Sequence, residues 1–538
     1  MSEPTLRHAA GYGLPWRPLS ALVLLALSAC ATQQDLQPTV KALPAGQLGL
    51  NETQAATAAD LPAAWWQALG DERLNRLIDR ALADNPSMAV VKTRLQRVHA
   101  AEVFARAADK PQIQATGEAD RQHFSDNGLY PPPIAGSSRT IGTLQLEGSW
   151  ELDLFGKQRA EIEAAVGQSR AAQADAQATR LLLSTQVARA HLQLARLLAQ
   201  REVAQRTLAQ REEVLSLIRQ RVQAGLDTTV ELRQGEGSPP EARQQIEALN
   251  EQIGVTRHAL AALTGQGPEA LQDFAPELRA IKPMPAPSTL PVDLLARRAD
   301  VNAALWRAQA SGHEVVAARA LFYPNIDLRS YAGYNAIGLD NLLKPGSLQW
   351  GLLPAIHLPL FDADRRRANL QGKIAEQDAA VASYNQTVLQ AVQEVADQLG
   401  VAQSVARQQQ DQRAAQASAE AAYSLAVQRF KAGLGTYLTV LSTESGVLRQ
   451  RSLGVDLQAR LLDTQVSLAK ALGGSLEAPS VPSSAAASAL ASPAVSTSTS
   501  AAPPAASAPL SPPAGATVTA PIASPSQTQR VALSGDRS

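Results

Sequence analysis

The chain runs through one plan twice. Lys110-Pro111-Gln112-Ile113 returns as Tyr323-Pro324-Asn325-Ile326, and residues 150–156 return as 356–362. Arg221-Val222-Gln223-Ala224-Gly225-Leu226 returns as Arg429-Phe430-Lys431-Ala432-Gly433-Leu434, and Ala262-Leu263-Thr264-Gly265 returns as Ala471-Leu472-Gly473-Gly474. The offset is 213 residues at the first match and 206–209 at the others. Self-similarity at a fixed spacing governs the fold more strongly than any local propensity. Each half must therefore build helix, strand, strand, very long helix, turn and helix.

The long helices set the scale. Residues 157–224 and 364–430 each lack proline, and at 1.5 Å per residue each spans roughly 100 Å. Ordinary globular helices are far shorter, so these bridge a distance. Before them, Leu74, Leu77, Ile78, Ala81 and Leu82 recur at helical spacing, and Asp84-Asn85-Pro86 marks a fresh helix start. Glycines at 225 and 433 permit tight reversals after the long helices. Pro239-Pro240 interrupts the helix that follows the first reversal, and Ser238 with Glu241 has capping-box spacing. A kink or restart is predicted there, without a counterpart in residues 444–452.

The strands have period two. Leu144, Leu146, Trp150 and Leu152 alternate with Gln145, Glu147, Ser149, Glu151 and Asp153. In the second half Ile326, Leu328, Ala332 and Tyr334 alternate with Asn325, Asp327 and Arg329, while Leu348, Trp350, Leu352, Ile356 and Leu358 share a parity. Strands are predicted at about 111–124, 141–153, 324–335 and 347–360, each with one apolar and one wet face. Four strands cannot close a barrel. An open sheet cannot sit in lipid either, because its edges leave backbone groups unpaired. Several chains must pool their strands, and three would give twelve. Leu146, Trp150, Leu328 and Trp350 then face lipid, while Glu147, Glu151, Asp327 and Arg329 face water inside.

The ends of the chain carry different signals. A short apolar run, residues 21–27, follows Arg7 and Arg17. It is too short to span a bilayer, which takes about 20 residues, and reads as a signal-peptide core. It leads into Leu27-Ser28-Ala29-Cys30, which resembles a bacterial lipobox. That resemblance implies cleavage before Cys30, palmitate and related acyl chains on it, and outer-membrane sorting with Ala31 next. From 478 onward Ala, Ser, Pro and Thr dominate, with no charge before Arg530. Such a segment cannot bury a core, so disorder is expected.

Catalytic and ligand-binding patterns are missing. The seven histidines are scattered, and neither a His-Glu-x-x-His run nor a Cys/His cluster occurs. Phosphate-cradling loops and nucleophile elbows are lacking too. Neither an enzyme, nor a metal, nor a cofactor is expected. Formal net charge is +0, which gives no basic footprint for nucleic acid. The adjacent Trp65-Trp66 reads as a packing anchor.

Together these motifs resemble the TolC-like outer membrane efflux factors, most closely the lipidated, nodulation-type (NodT-like) branch. The resemblance rests on Leu61-Pro62-Ala63-Ala64-Trp65-Trp66, Asn85-Pro86, residues 150–156, residues 294–300, Phe322-Tyr323-Pro324, Lys431-Ala432-Gly433-Leu434 with Tyr437-Leu438, and residues 471–474. It runs from about Leu61 to Leu476. It implies a mainly helical homotrimer with a twelve-stranded β-barrel and a twelve-helix periplasmic coiled-coil tunnel. The partners implied are a periplasmic adaptor (membrane fusion) protein, an inner-membrane transporter of the RND type and outer-membrane lipids. By the same resemblance Gly225, Leu226, Asp227, Thr228, Gly433, Leu434 and Gly435 form adaptor-contacting hairpin tips. Leu438 and Ser442 match the periplasmic constriction, where relatives often carry Asp at the position of Ser442.

The expected organisation is a signal peptide at 1–29, a lipidated leader at 30–60, repeats at 61–265 and 291–477 joined by a linker at 266–290, and the tail 478–538. The expected function is the passive exit channel of a tripartite efflux pump. Two alternatives stay open at this point: a lipid-anchored periplasmic scaffold without a pore, and the exit duct of a type I secretion system.

Overall fold

The computed structural model describes residues 36–44, 64–284 and 297–474. The signal peptide, Cys30, residues 291–296 and the tail lie outside the described residues. The first repeat holds α1 (Glu72–Asp84), α2 (Pro86–Ala108), β1 (Gln112–His123), β2 (Ser138–Leu152), α3 (Lys157–Gln223) and α4 (Thr229–Leu263). The second holds α5 (Ala299–Ala320), β3 (Asn325–Ile337), β4 (Leu348–His357), α6 (Arg365–Lys431) and α7 (Tyr437–Ala471).

The two long helices have 67 residues each. Along α3 lie α2, α4, α5 and α7, and α6 packs against α5 and α7. Their chemistry explains the closeness. Buried positions on α3 are dominated by Ala, Leu, Ser and Thr, small enough for backbones to approach and regular enough for continuous ridges. Asn85 both ends α1 and caps α2, its side-chain oxygen accepting from the Ser87 amide, with Pro86 in the first turn. The fresh helix start expected at Asp84-Asn85-Pro86 is thus a helix-to-helix junction.

The largest apolar cluster lies where α1, α3, α4 and α7 converge. Trp65, Trp66, Leu69, Leu74, Ile78, Leu194, Leu197, Ile253, Leu260, Leu462 and Val466 meet there. Trp65 donates its indole N–H to Ser184 Oγ at 3.3 Å, so the tryptophan pair is a packing anchor. Beside it, Asp71 caps α1 by accepting from the Arg73 and Leu74 amides. Its other carboxylate oxygen lies 2.8 Å from Nε2 of the fully buried His191.

The His191 hydrogen bond, aided by its charge and by the capping amides, holds the Asp71 carboxyl at about 2, below the usual 3.8. A depressed carboxyl pKa adds stability that is complete above the ordinary value and lost as pH falls towards the folded one. Asp71→Asn keeps the cap but removes the charge. Thermal melts should show it less stable than wild type by roughly 1–2 kcal/mol near neutrality, converging as the pH drops below about 3. A constant gap down to pH 2 would contradict this.

At the proline pair the expected restart is not met. No restart occurs: α4 runs unbroken from Thr229 to Leu263 with Pro239 and Pro240 inside it. Ser238 is buried within the helix rather than capping one. Packing overrides the local rule. Gly235 sits so close to Ile218 of α3 that an added Cβ would lie 2.8 Å from its Cδ1. Arg211 of α3 donates to the Ser238 carbonyl at 2.9 Å. The strand limits also shift. β4 stops at His357, opposite Asn325, short of the expected 360, because Pro324 precedes β3 and Pro359 has no N–H to pair. β2 begins at Ser138 rather than 141, since its first residues pair with Arg121, Gln122 and His123 of β1.

The leader segment 36–44 lies along α5 and α6. Asp378 accepts from the amides of Thr39 and Val40 at 3.0 Å each. Asn385 accepts from the Leu43 amide and donates to the Lys41 carbonyl, both at 2.9 Å. Leu36 packs on Val315, Ala318, Leu370 and Ile374.

Candidate channel wall and hairpin tips

The four strands form one antiparallel sheet in the order β1-β2-β3-β4. Register fixes what shares a face, because directly opposed residues lie on the same side. Leu146 opposes Ala115 and Ala332, and Ala332 opposes Trp350. Trp150 opposes Leu328, and Leu152, Ile326 and Ile356 line up in the same way. Leu146, Trp150, Leu328 and Trp350 therefore belong to one apolar face running across the whole sheet. Trp350 is 76% exposed, and Leu144, Leu146, Leu348, Leu352 and Ile356 are exposed with it.

The opposite face is polar. Glu147 opposes Gln114 and Tyr331, Ser149 opposes Arg329, and Glu151 opposes Asp327. Gln114 donates to Glu147 at 2.8 Å, and Gln349 donates to Gln145 at 3.1 Å. Within one chain β1 and β4 each pair on one side only. No described helix is long and apolar enough to cross a membrane. The sheet thus presents an apolar face, a polar face and two open edges.

At the far end the two reversals are copies of one another. The Leu226 amide donates to the Arg221 carbonyl, and the Leu434 amide to the Arg429 carbonyl, both at 2.8 Å. Gly225 (φ 71°) and Gly433 (φ 75°) take the left-handed conformation this cap requires. Thr228 then starts α4 with a capping box to Glu231, and Thr436 caps α7. Leu226, Leu434 and Leu438 are exposed, Leu438 by 67%. Ser442 is exposed four residues on, hence on the same face of α7, and its hydroxyl donates to the Thr439 carbonyl.

The sequence places Asp227 at a tip but does not reveal the contacts that bind the tips together. Arg221 forms two hydrogen bonds to Asp227, at 2.8 and 3.0 Å, and a third to the Phe430 carbonyl of the second hairpin at 3.1 Å. Its guanidinium lies 4.7 Å from the centre of the Phe430 ring. Further along, Arg211 meets Glu444 at 3.3 Å and Glu241 at 3.6 Å. Glu444 is only 5% exposed. Burial pushes its carboxyl above the ordinary value, against the pull of Arg211. Glu444 therefore faces α3, away from the surface that carries Leu438 and Ser442.

Among the described residues, no group of three or more His, Cys, Asp or Glu side chains could hold a metal ion. The pattern of faces, edges and tips has close counterparts. The sequence model of the outer membrane efflux protein family matches the chain twice, over residues 77–266 and 290–474. The multidrug resistance outer membrane protein MdtQ of Escherichia coli O6:H1 is 32% identical, over 84% of this chain and 96% of its own. The fusaric acid resistance protein FusA of Burkholderia cepacia is 36% identical, over 65% of this chain and 67% of its own. Among solved structures, the outer membrane protein VceC of Vibrio cholerae superposes with a TM-score of 0.73 at 34% identity, covering 77% of this chain and 98% of that one. Two matched repeats, a fold match over nearly all of VceC and an exposed apolar sheet face agree: this chain belongs to the outer membrane efflux protein family.

Proposed function

We propose that three copies pair the free edge of β1 in each with the free edge of β4 in the next, closing a twelve-stranded barrel over a helical tunnel. The observation that carries this is the open four-stranded sheet with one apolar face, which no single copy can seal. Leu146, Trp150, Leu328 and Trp350 contact lipid, and Glu147, Glu151, Asp327 and Arg329 line the water-filled bore. The chain is an outer-membrane exit channel of an efflux pump, with its helices in the periplasm. Conduction is passive; the chain performs no reaction and needs no cofactor.

The tips formed by Gly225, Leu226, Asp227 and Thr228, and by Gly433, Leu434 and Gly435, are the surfaces offered to a periplasmic adaptor. An RND-type inner-membrane transporter supplies the driving force. Leu438 and Ser442 set the narrow end, with a neutral hydroxyl in place of a carboxylate. The resistance proteins named above favour small organic toxicants as cargo over secreted polypeptides. The two repeats occupy 61–265 and 291–477, joined by 266–290, with 30–60 as leader and 478–538 as tail. Purified protein in a planar lipid bilayer should give discrete single-channel steps. A folded protein that never raises conductance would leave the scaffold alternative standing.

Anchoring through Cys30 is a separate part of this reading. Two or three acyl chains hold a protein on a membrane where one binds only marginally. Cys30→Ser should abolish incorporation of labelled palmitate while the barrel still inserts. Undiminished labelling of that variant would remove Cys30 as the attachment point.

A further inference from the structure

Each repeat leaves its second strand and enters its long helix through the same residues. Leu154-Phe155 follow β2, and Leu360-Phe361 follow β4. All four are exposed, Leu360 by 80% and Phe361 by 89%. The Phe155 corner is nonetheless fixed, since its ring stacks on Tyr323 with centroids 4.9 Å apart and planes 9° apart. Beside it runs a groove of about 510 Å³ bordered by apolar residues, Leu152, Phe155 and Ile356 among them, and by the charged Glu151, Asp153 and Lys157. Leu152 and Ile356 belong to the apolar sheet face, so the groove continues that face towards the helices.

The charges at these corners run against helix electrostatics. α6 opens with Arg365-Arg366-Arg367 and has no acid in its first turn. Cations at a helix N-terminus oppose its partial positive charge. Arg366 is neutralised by Asp362 at 3.0 Å. Arg365 and Arg367 are exposed, and neither has an ion-pair partner among the described residues. The first repeat matches. Arg159 stands four residues after Phe155, as Arg365 stands four after Phe361. Arg159 is likewise exposed; its amide donates to Asp153 at 2.9 Å, but its side chain has no ion-pair partner among the described residues.

We infer that these two corners bind anionic phospholipids of the periplasmic leaflet. Acyl chains lie against the Leu-Phe pairs, and Arg159, Arg365 and Arg367 hold the phosphates. Continuity with the apolar face sets the depth, and the uncompensated cations select the headgroup. Guanidinium matches phosphate oxygens in a planar, two-pronged geometry.

This rests on the apolar face being the lipid face, and the test separates the two. Full-length protein in detergent is titrated with POPG, with POPC and with inorganic phosphate, and retained lipid is counted by native mass spectrometry. Wild type should retain POPG in preference to POPC, and inorganic phosphate at the same concentration should not displace it. Arg159→Gln, Arg365→Gln and Arg367→Gln should each weaken POPG binding about fivefold, leaving POPC unchanged. The triple variant should still form heat-resistant trimers and conduct, since removing cations from a helix start does not destabilise it. Equal retention of POPG and POPC by wild type would overturn the inference, as would displacement by inorganic phosphate. A triple variant that loses its trimers without any lipid present would show the corners to be contacts between copies, and that too would overturn it. Failure of wild type to conduct or form trimers would instead remove the barrel reading on which the inference stands.

Discussion

Leu146→Arg combined with Trp350→Arg is expected to eliminate the protein's heat-resistant trimer from outer-membrane fractions. The two residues lie on one face, linked in register through Ala332. An arginine turned towards lipid near the bilayer midplane costs roughly 2–4 kcal/mol. Three copies would carry six such charges, and their sum rivals the whole stability of a typical domain, about 5–15 kcal/mol. The matched control is Gln114→Arg with Gln349→Arg, on the opposite face of the same sheet, in β1 and β4. There an added cation meets water, and at Gln114 it also meets the neighbouring Glu147. The control should assemble at close to wild-type levels. Equal loss in both pairs would mean that the two faces do not differ in what they touch.

The second large effect is expected at Arg211. Its guanidinium joins three helices: it meets Glu444 of α7, and it donates to Ser238 and pairs with Glu241 of α4. Arg211→Ala strands the Glu444 carboxylate, whose side chain is 7% exposed. Breaking a buried pair by removing one partner costs about 3–5 kcal/mol, whereas replacing both by apolar residues is often neutral. Arg211→Met with Glu444→Leu should therefore recover most of what Arg211→Ala loses. The pH dependence has a definite sign. Burial already raises the Glu444 carboxyl, so the folded protein holds that proton more tightly than the unfolded one. Stability tied to it is greatest at low pH and is lost as pH rises through the folded value. The Arg211→Ala deficit should accordingly be smaller at about pH 5 than at pH 8 in denaturant titrations. A deficit independent of pH would place the loss in the Ser238 contact instead.

What the sequence disclosed follows from how far each signal reaches along the chain. Strand faces are written at period two within a few residues, so Leu146 and Trp350 could be assigned to a face before any pairing was known. The tips were legible because a reversal needs glycine at the left-handed position, and Gly225 and Gly433 stand at matching places. Arg211 and Glu444 are 233 residues apart, and nothing local distinguishes them from other charges on a helix surface. His191 and Asp71 are hidden for the same reason, 120 residues apart. The prolines at 239 and 240 pointed to a restart that does not occur, because a local rule met a tertiary contact: close packing on α3 holds the helix together there. The long helices lack a single apolar stripe because several neighbours share them. No residue of α2 is fully buried within one copy, and its Val90, Val103 and Phe104 are exposed.

The decisive measurement is amide hydrogen exchange of the full-length protein reconstituted in lipid, followed strand by strand. Closure of three sheets into one cylinder leaves no free edge, so the amides of β1 and β4 should be as slow to exchange as those of β2 and β3. Rapid exchange of alternate amides along β1 and β4, with β2 and β3 protected, would mean that the sheet stays open and that these chains do not build a common wall.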